Sequence, residues 1–188
     1  MRKEKGEYGY RDSSRRMRIG ITSILVAAIL AQVGARFLVR EQAAKNILTV
    51  MAILTVLPMA NMASPLLASW RYRTPPEAFH QKMMAYEGKC VLLYDLILTT
   101  KEFVLPMDAI AVHPGGVYAY CTAGRVDLAK AEKSLNDLFS ASHLEPCVKV
   151  FGEERSFLKR LDSLKAAEKP EGDGVLAYET GVLKSMSM

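Results

Sequence analysis

Two long apolar runs dominate the first 70 residues of this chain. Residues 19–39 contain one amide, Gln32, and one charge, Arg36, and residues 47–70 contain no charge. About 20 apolar residues in a helix span the roughly 30 Å hydrocarbon core of a bilayer. The pattern therefore predicts a transmembrane helical hairpin over residues 19–70, in which the Arg36 side chain extends to the membrane interface.

Each run has an alternative interpretation. A signal peptide would explain the first run, since basic residues precede it, but the run is long and a second run follows within ten residues. A core helix of a soluble protein would explain the second run, but core helices rarely remain uncharged over 24 residues. Two membrane spans explain both runs together.

The distribution of Lys and Arg predicts the orientation of the hairpin. Eleven lie in residues 1–18 and 71–89, whereas three lie around the connection between the runs, at Arg36, Arg40 and Lys45. The cytoplasmic flanks of membrane helices carry the excess of these residues. We therefore expect a two-span protein of the cell membrane with both termini in the cytoplasm. The three cysteines, none in a C-x-x-C pair, also suit a reducing compartment.

The net charge of +5 does not indicate nucleic acid binding, because the basic excess is local. Residues 1–18 carry seven Lys and Arg against three acids, whereas residues 71–188 carry 15 against 16, a net charge of −1. Basic residues beside a membrane are attracted to anionic headgroups by about 1 kcal/mol each. We expect the lipid bilayer as a partner, and nucleic acid is an unlikely partner because its binding needs a basic face.

Two interpretations of the basic cytoplasmic segment, residues 1–18, stay open. In the first, it is a solvated tail that only sets the membrane orientation. In the second, it is shared between anionic lipid and acidic stretches of the following domain, such as Glu153-Glu154 or residues 171–173. Attraction between opposite charges across exposed surfaces would weaken as salt increases, so the two interpretations differ in their salt dependence.

Small residues predict how the two spans, residues 19–39 and 47–70, pack on each other. They recur at every fourth position, at Ala27, Ala31 and Ala35 and at Ala60, Ser64 and Ala68. Such spacing lets helix backbones approach closely in lipid. Pro58 and Pro65 predict a local kink, with Asn61 bonded to the backbone or to Gln32. The alternative, a polar patch in a transport path, lacks a buried acid or histidine.

The sequence after the hairpin predicts a small mixed-sheet α/β domain over residues 75–168. Helical patterns alternate with apolar runs that are rich in branched residues, and Asp127 suits the N-cap of one helix. The predicted elements are a helix at 79–87, strands at 90–100, 103–112 and 117–122, a helix after Asp127, a strand at 147–151 and a helix at 153–167. A turn is predicted at the His-Pro-Gly-Gly sequence, residues 113–116.

Residues 169–188 are predicted to be a C-terminal tail. Residues 169–174 read as a loop, and residues 175–183 are predicted to add an edge strand to the sheet. The Met-Ser residues that follow are expected to be disordered.

The central hairpin of the domain resembles that of a known family. The sequence CVLLYDLILTTKEFVLPMDAIAVHPGGVYAYCTA, which starts at Cys90, is similar to the central hairpin of the nuclease-related domain. That family has a restriction-endonuclease-like fold, with an acid at the start of one strand, a Gly-containing turn and a strand ending in Glu-x-Lys. Asp108 matches the acid, HPGGVYAY matches the turn and next strand, and CVKVF matches a later strand. The resemblance covers residues 77–160 and implies this fold.

The resemblance also implies an incomplete metal site. In the family, acids hold a divalent metal ion and the Lys positions the attacking water. With Asp108 aligned, the Glu position is Cys121 and the Lys position is Ala123, and neither offers an oxygen ligand to a hard cation. Glu132 and Lys133 are the candidates for substitutes that have moved to the next helix. Asp108 is therefore the only candidate catalytic residue, and we expect no metal ion and no cofactor.

Two classes of function follow from the sequence. The first is a membrane-anchored, non-catalytic interaction or scaffold protein whose cytoplasmic domain binds a protein partner or self-associates. The second is a membrane-tethered, metal-dependent nuclease with a rearranged active site. The charge balance and the missing Glu-x-Lys favour the first. His80, His113 and His143 show no metal-ligand spacing, and the sequence has no phosphate-binding loop.

Overall fold

Both apolar runs form helices in the computed structural model, which describes residues 3–100, 104–122, 124, 126–165 and 174–188. Helix α1 spans Tyr10–Leu38 and helix α2 spans Gln42–Ser69. Both are long and apolar enough to cross a membrane. The predicted connection at 40–46 is too long, because the Gln-Ala-Ala-Lys sequence at 42–45 consists of good helix formers and opens α2.

Helix α2 and all of α1 after Arg11 belong to one unit, Asp12–Arg71, and form an antiparallel hairpin. The Arg15 guanidinium stacks over the Trp70 ring at 4.4 Å, and the Gln32 amide and the Thr55 hydroxyl approach to 3.4 Å. The first pair joins the start of α1 to the end of α2, and the second pair joins the middles of both helices. Cation–π stacking and a polar pair therefore hold the hairpin together.

The predicted packing of small residues in the hairpin is wrong. Five of the six are exposed, and α2 instead turns a half-buried face towards α1 that carries Leu48, Ala52, Thr55, Met59 and Ala63. Asn61 is exposed and bonds neither Gln32 nor another group among the described residues. The Gln32–Thr55 pair lies on this inward face, where the amide and the hydroxyl meet each other's hydrogen-bonding groups, which contact between alanines cannot do.

The α/β unit combines Met1–Arg11 with Tyr72–Met188. Its elements in chain order are α3 Glu77–Met84, β1 Val91–Thr99, β2 Val104–His113, β3 Gly116–Tyr120, α4 Leu128–Ala141, β4 Val148–Phe151, α5 Glu154–Asp162 and α6 Gly174–Ser185. The sheet order is β1-β2-β3-β4, in which β1, β2 and β3 pair antiparallel and β4 pairs parallel to β3. The predicted small mixed sheet with helices is confirmed.

Apolar side chains bury both faces of this sheet. Helices α4 and α6 cover one face, and α3 and α5 cover the other. Strand β3 shows the alternation that the sequence predicted, since Val117 and Ala119 face the first layer and Tyr118 and Tyr120 face the second. The arrangement is a three-layer α/β unit with a complete apolar core on each side of the sheet.

Two local signals in the sequence act as predicted. The Asp127 carboxylate accepts hydrogen bonds from the backbone N–H groups of Ala129 and Lys130 at 3.1 and 3.2 Å, so it caps α4. In the turn between β2 and β3, Gly116 has a φ of 130°, and a Cβ there would lie 2.9 Å from the carbonyl oxygen of Cys147. The turn therefore requires glycine at this position.

Residues 174–188 differ from the prediction of an edge strand and a disordered end. Helix α6 buries Leu176, Glu179 and Leu183, whose spacing is helical. After the helix, Ser187 pairs with Leu98 of β1, as Gly6 pairs with Tyr94 farther along that strand. Two short segments thus cover the outer edge of β1, which would otherwise offer unpaired backbone groups to another chain.

The other edge of the sheet is covered by side chains of α4. The Asn136 side chain donates to the carbonyl of Val148 at 3.1 Å and accepts from its N–H at 2.9 Å. One helical turn earlier, the Glu132 carboxylate accepts from the N–H of Val150 at 3.1 Å. Glu132 therefore satisfies the backbone of β4, and this contact argues against a metal-ligand role.

We predict that Asn136→Ala lowers the free energy of unfolding of the α/β unit by about 1–3 kcal/mol, because two hydrogen bonds to the β4 backbone are lost. The melting temperature of the full chain in mild detergent, followed by near-UV circular dichroism, measures the loss. Lys133→Ala is the matched control, since Lys133 lies on the exposed face of the same helix. Equal melting temperatures for the two variants would contradict the edge-capping role.

Candidate functional site

Asp108, the candidate residue from the sequence, lies buried within β2. Its Oδ1 accepts a hydrogen bond from Nη1 of Arg11 at 2.9 Å. Its Oδ2 accepts from the backbone N–H of Thr122 at 2.9 Å and from the Thr122 hydroxyl. Both carboxylate oxygens are therefore engaged by donors of the protein itself, and one donor is a cation.

Arg11 occupies the centre of this site, with a side chain that is only 4% exposed. Its guanidinium donates to the carbonyls of Arg73 at 2.7 Å, Met107 at 2.8 Å and Leu96 at 3.5 Å. Nε lies 3.8 Å from Oδ1 of Asp95, which makes a second ion pair. A planar group with five donors suits this arrangement, whereas a lysine ammonium has three donors and no fork.

Asp95 lies opposite Asp108 at a break in the pairing of β1 with β2. Tyr94 pairs with Ala109 and Leu96 pairs with Met107, but the two aspartates between them are not paired. Asp95 has a φ of 58°, a left-handed conformation that is uncommon outside glycine. Its Oδ2 accepts from the N–H of Gly9 and from the Thr74 hydroxyl, each at 2.8 Å. These bonds hold the carboxylate at the break.

The break changes which side chains enter each core layer. In β1, Leu93 and then Leu96 face the layer under α4. Side chains of a regular strand return to the same face every second residue, so one extra residue lies between these two leucines. In β2, one extra residue likewise separates Met107 from Ile110. Since both strands shift together, the register of pairing is the same before and after the break.

We call Arg11, Thr74, Asp95, Asp108 and Thr122 the junction cluster. Arg11 directly precedes the hairpin unit in sequence and Thr74 follows it closely, so the cluster contains both sites where the chain leaves and re-enters the α/β unit. Two like charges on adjacent strands repel each other, and the buried cation between them removes that repulsion. The junction cluster therefore joins the segment that precedes the hairpin to strands β1 and β2.

Burial of the Asp95 carboxylate raises its pKa, because the charged form loses hydration. The Arg11 cation lowers the pKa, as do the hydrogen bonds from Thr74 and Gly9, but burial has the larger effect. The Arg11 cation therefore opposes the effect of burial on the pKa of Asp95.

Other candidate residues do not gather around Asp108. Cys121 is buried in the core layer under α4, and Ala123 lies outside the described residues. Burial raises the pKa of the Cys90 thiol to about 11, which opposes a nucleophilic role. Across the described ranges, no three His, Cys, Asp or Glu side chains are grouped so that they could hold a metal ion.

Most of the junction cluster could not be predicted from the sequence. The interpretation of residues 1–18 as a solvated tail is wrong for Arg11, which docks on Asp95 and Asp108 and not on Glu153-Glu154. Residues 171–173 lie outside the described residues. One signal was present in the sequence, because Asp95 interrupts an otherwise apolar strand and a buried acid needs a partner.

A comparison of the chain with protein-family models, curated proteins and solved structures finds no match.

We predict that Arg11→Met lowers the free energy of unfolding of the α/β unit by about 3–5 kcal/mol, because two buried carboxylates lose their counter-charge. The melting temperature of the full chain in mild detergent measures the loss. Arg16→Met is the matched control, since Arg16 is exposed on α1 and its replacement should stay within about 0.5 kcal/mol. Similar values for the two variants would exclude a structural role for Arg11.

The same variant should show a larger loss at pH 7 than at pH 5. Without Arg11, the pKa of Asp95 rises further above its usual 3.8, so the folded variant keeps a proton that the unfolded chain has released. The free energy of unfolding of the variant then falls as the pH rises through this window. Denaturant titration at both pH values provides the test, and a loss that is independent of pH would assign Arg11 a packing role only.

Proposed function

We propose that this chain is a membrane-anchored, non-catalytic interaction protein that holds its α/β unit at the cytoplasmic surface of a cell membrane. The exposure of α1 and α2 supports the membrane anchor. In the most apolar 18-residue window of each helix, none of α1 and 6% of α2 is buried. A core helix of a soluble protein would be mostly buried, and exposed apolar surface of this extent needs a cover.

The composition of the α/β unit supports a topology with both hairpin ends on one side. Met1–Arg11 precedes the hairpin and Tyr72–Met188 follows it, yet the two segments form one unit with a shared core. A folded unit cannot lie on both sides of a membrane, and two spans return the chain to the side where it started. The excess of Lys and Arg at the hairpin ends assigns that side to the cytoplasm in this proposal.

The Arg15–Trp70 pair fits the membrane interface at the same end of the hairpin. Trp is enriched at the headgroup level, where its ring is amphipathic, and Arg side chains extend towards the headgroups. The stacking distance of 4.4 Å brings the two residues together just before the chain enters the α/β unit. The opposite end of the hairpin, residues 39–41, would then lie outside the cell.

The engagement of Asp108 is the observation on which the non-catalytic assignment rests. A divalent metal ion needs free carboxylate oxygens, but Arg11 and Thr122 occupy both oxygens of Asp108. A positive guanidinium at 2.9 Å also repels a metal ion. Descent of the unit from the nuclease-related domain stays a proposal, supported by an acid on β2 followed by a glycine turn and β3.

The interaction role is supported by the outer surface of the α/β unit. Among the described residues, helices cover both faces of the sheet and other groups cap both of its edges, which leaves the outer surface of the α/β unit as the site for a protein partner in this proposal. An anchor with two spans would confine that surface to the membrane. Confinement raises the effective concentration of a partner that is held at the same membrane.

We predict that a membrane-impermeant maleimide applied to intact cells labels Gln42→Cys and does not label Ser156→Cys. Gln42 is exposed at the start of α2, and Ser156 is exposed on α5. Both variants carry Cys147→Ser, which removes the half-buried native thiol, and both should label after permeabilisation. Labelling of Ser156→Cys alone in intact cells would reverse the orientation, and labelling of both sites would contradict two spans.

We also predict that the full chain in mild detergent does not cleave DNA or RNA in the presence of Mg²⁺ or Mn²⁺. The reason is that Asp108 cannot bind a metal ion without breaking its ion pair. Metal-dependent cleavage that disappears in Asp108→Asn, but survives in the exposed control Asp137→Asn, would support the nuclease function instead. The melting temperature of each variant separates loss of activity from loss of folding.

A further inference from the structure

We propose that the hairpin self-associates in the membrane through the outer face of α2, with the Asn61 side chains of two copies bonded to each other. This inference rests on the membrane insertion proposed above. It names a second copy of the chain as the partner and a row of residues on α2 as the contact surface.

The outer face of α2 carries a row of exposed residues with heptad spacing. These residues, which we call the outer seam, are separated by four, three, four, three and four positions: Val50, Leu54, Leu57, Asn61, Ser64 and Ala68. The seam lies on the side of α2 opposite the half-buried face that meets α1. Two helices with apolar residues at this spacing pack along a common seam, and a single Asn within it fixes the register.

Asn61 is the residue of the seam that most needs a partner. It lies nine residues before the end of the uncharged run at Trp70, or about 14 Å at the helical rise, which places it within the hydrocarbon core. Its amide makes no hydrogen bond within the described part of the chain and is exposed on α2. Lipid tails offer no hydrogen-bonding group, so the amide remains unsatisfied in a single hairpin.

The two prolines of α2 remove the helical donors of two carbonyls in the same seam. Proline has no N–H to donate to the carbonyl four residues earlier. Pro58 therefore leaves the carbonyl of Leu54 without its helical donor, and Pro65 does the same to the carbonyl of Asn61. Both carbonyls belong to residues of the outer seam, and the Asn61 amide of the same seam can donate two hydrogen bonds.

A second copy of the chain can meet these needs. Two copies inserted with the same orientation can pair about a two-fold axis along the membrane normal, which places Asn61 of both copies at the same depth. An amide is self-complementary, because each side chain donates to and accepts from the other. Ser64 and Ala68, near the same end of the seam, are small enough for the helices to approach closely.

Energy transfer between labelled full-length chains in liposomes tests the proposal. Donor and acceptor dyes are attached at Ser156→Cys in a Cys147→Ser background, and transfer is measured as the protein-to-lipid ratio is lowered. We expect transfer well above that of randomly distributed chains, with an association about tenfold weaker for Asn61→Leu. Asn61→Gln keeps an amide and should retain the association.

A matched pair of leucines locates the contact surface. Leu57→Ala, on the outer seam, should weaken association, whereas Leu67→Ala, which is also highly exposed but lies off the seam, should not. Equal effects of the two leucine variants would overturn the proposal that the outer seam is the contact surface. An Asn61→Leu chain that associates as the wild type does would overturn it as well. Transfer at the random level for the wild type would overturn self-association.

Carbonate extraction of the same liposomes separates this inference from the proposed function. Chains that resist extraction but show only random transfer would disprove self-association and leave the membrane anchor standing. Chains that carbonate removes would disprove the membrane anchor, and the inference with it.

Discussion

The ion pairs of Arg11 with Asp95 and Asp108 are the interaction on which the α/β unit depends. Two carboxylates face each other on neighbouring strands within a buried sheet, and that arrangement is unstable without a cation. The cation comes from a segment that precedes the hairpin in sequence. Residues 72–188 alone lack this cation, and Met1–Arg11 is a structural part of the unit.

The hairpin also lowers the entropic cost of bringing its two ends together. Residues 12–71 form a loop between two parts of one folded unit, and the entropy of closing a flexible loop grows with its length. An antiparallel hairpin brings its own ends together, and the Arg15–Trp70 contact shows that this happens here. The α/β unit then needs to order only a few residues on each side, such as Gly9, Arg73 and Thr74.

The features that could be read from the sequence are those with local causes. Asp127 caps the helix that follows it directly, Gly116 meets the needs of its own turn, and the strands follow from runs of branched apolar residues. Arg11 could not be placed in this way, because it lies 97 residues from Asp108 in the sequence. It also belongs to a basic segment whose composition is that of an ordinary membrane-topology signal. The segment at 175–183 was ambiguous because short apolar stretches fit strand and helix alike, and burial against the sheet decided for the helix.

The covering of the outer edge of β1 has a consequence for the order in which the protein matures during synthesis. Gly6 is made before the strand that it covers, whereas Ser187 is made 89 residues after its partner Leu98. One half of the edge can close as soon as β1 emerges, but the other half stays open while β2, β3, β4 and α6 are translated. For that interval the nascent chain carries an open strand edge, whose unpaired backbone groups can pair with another chain until residue 187 has been added.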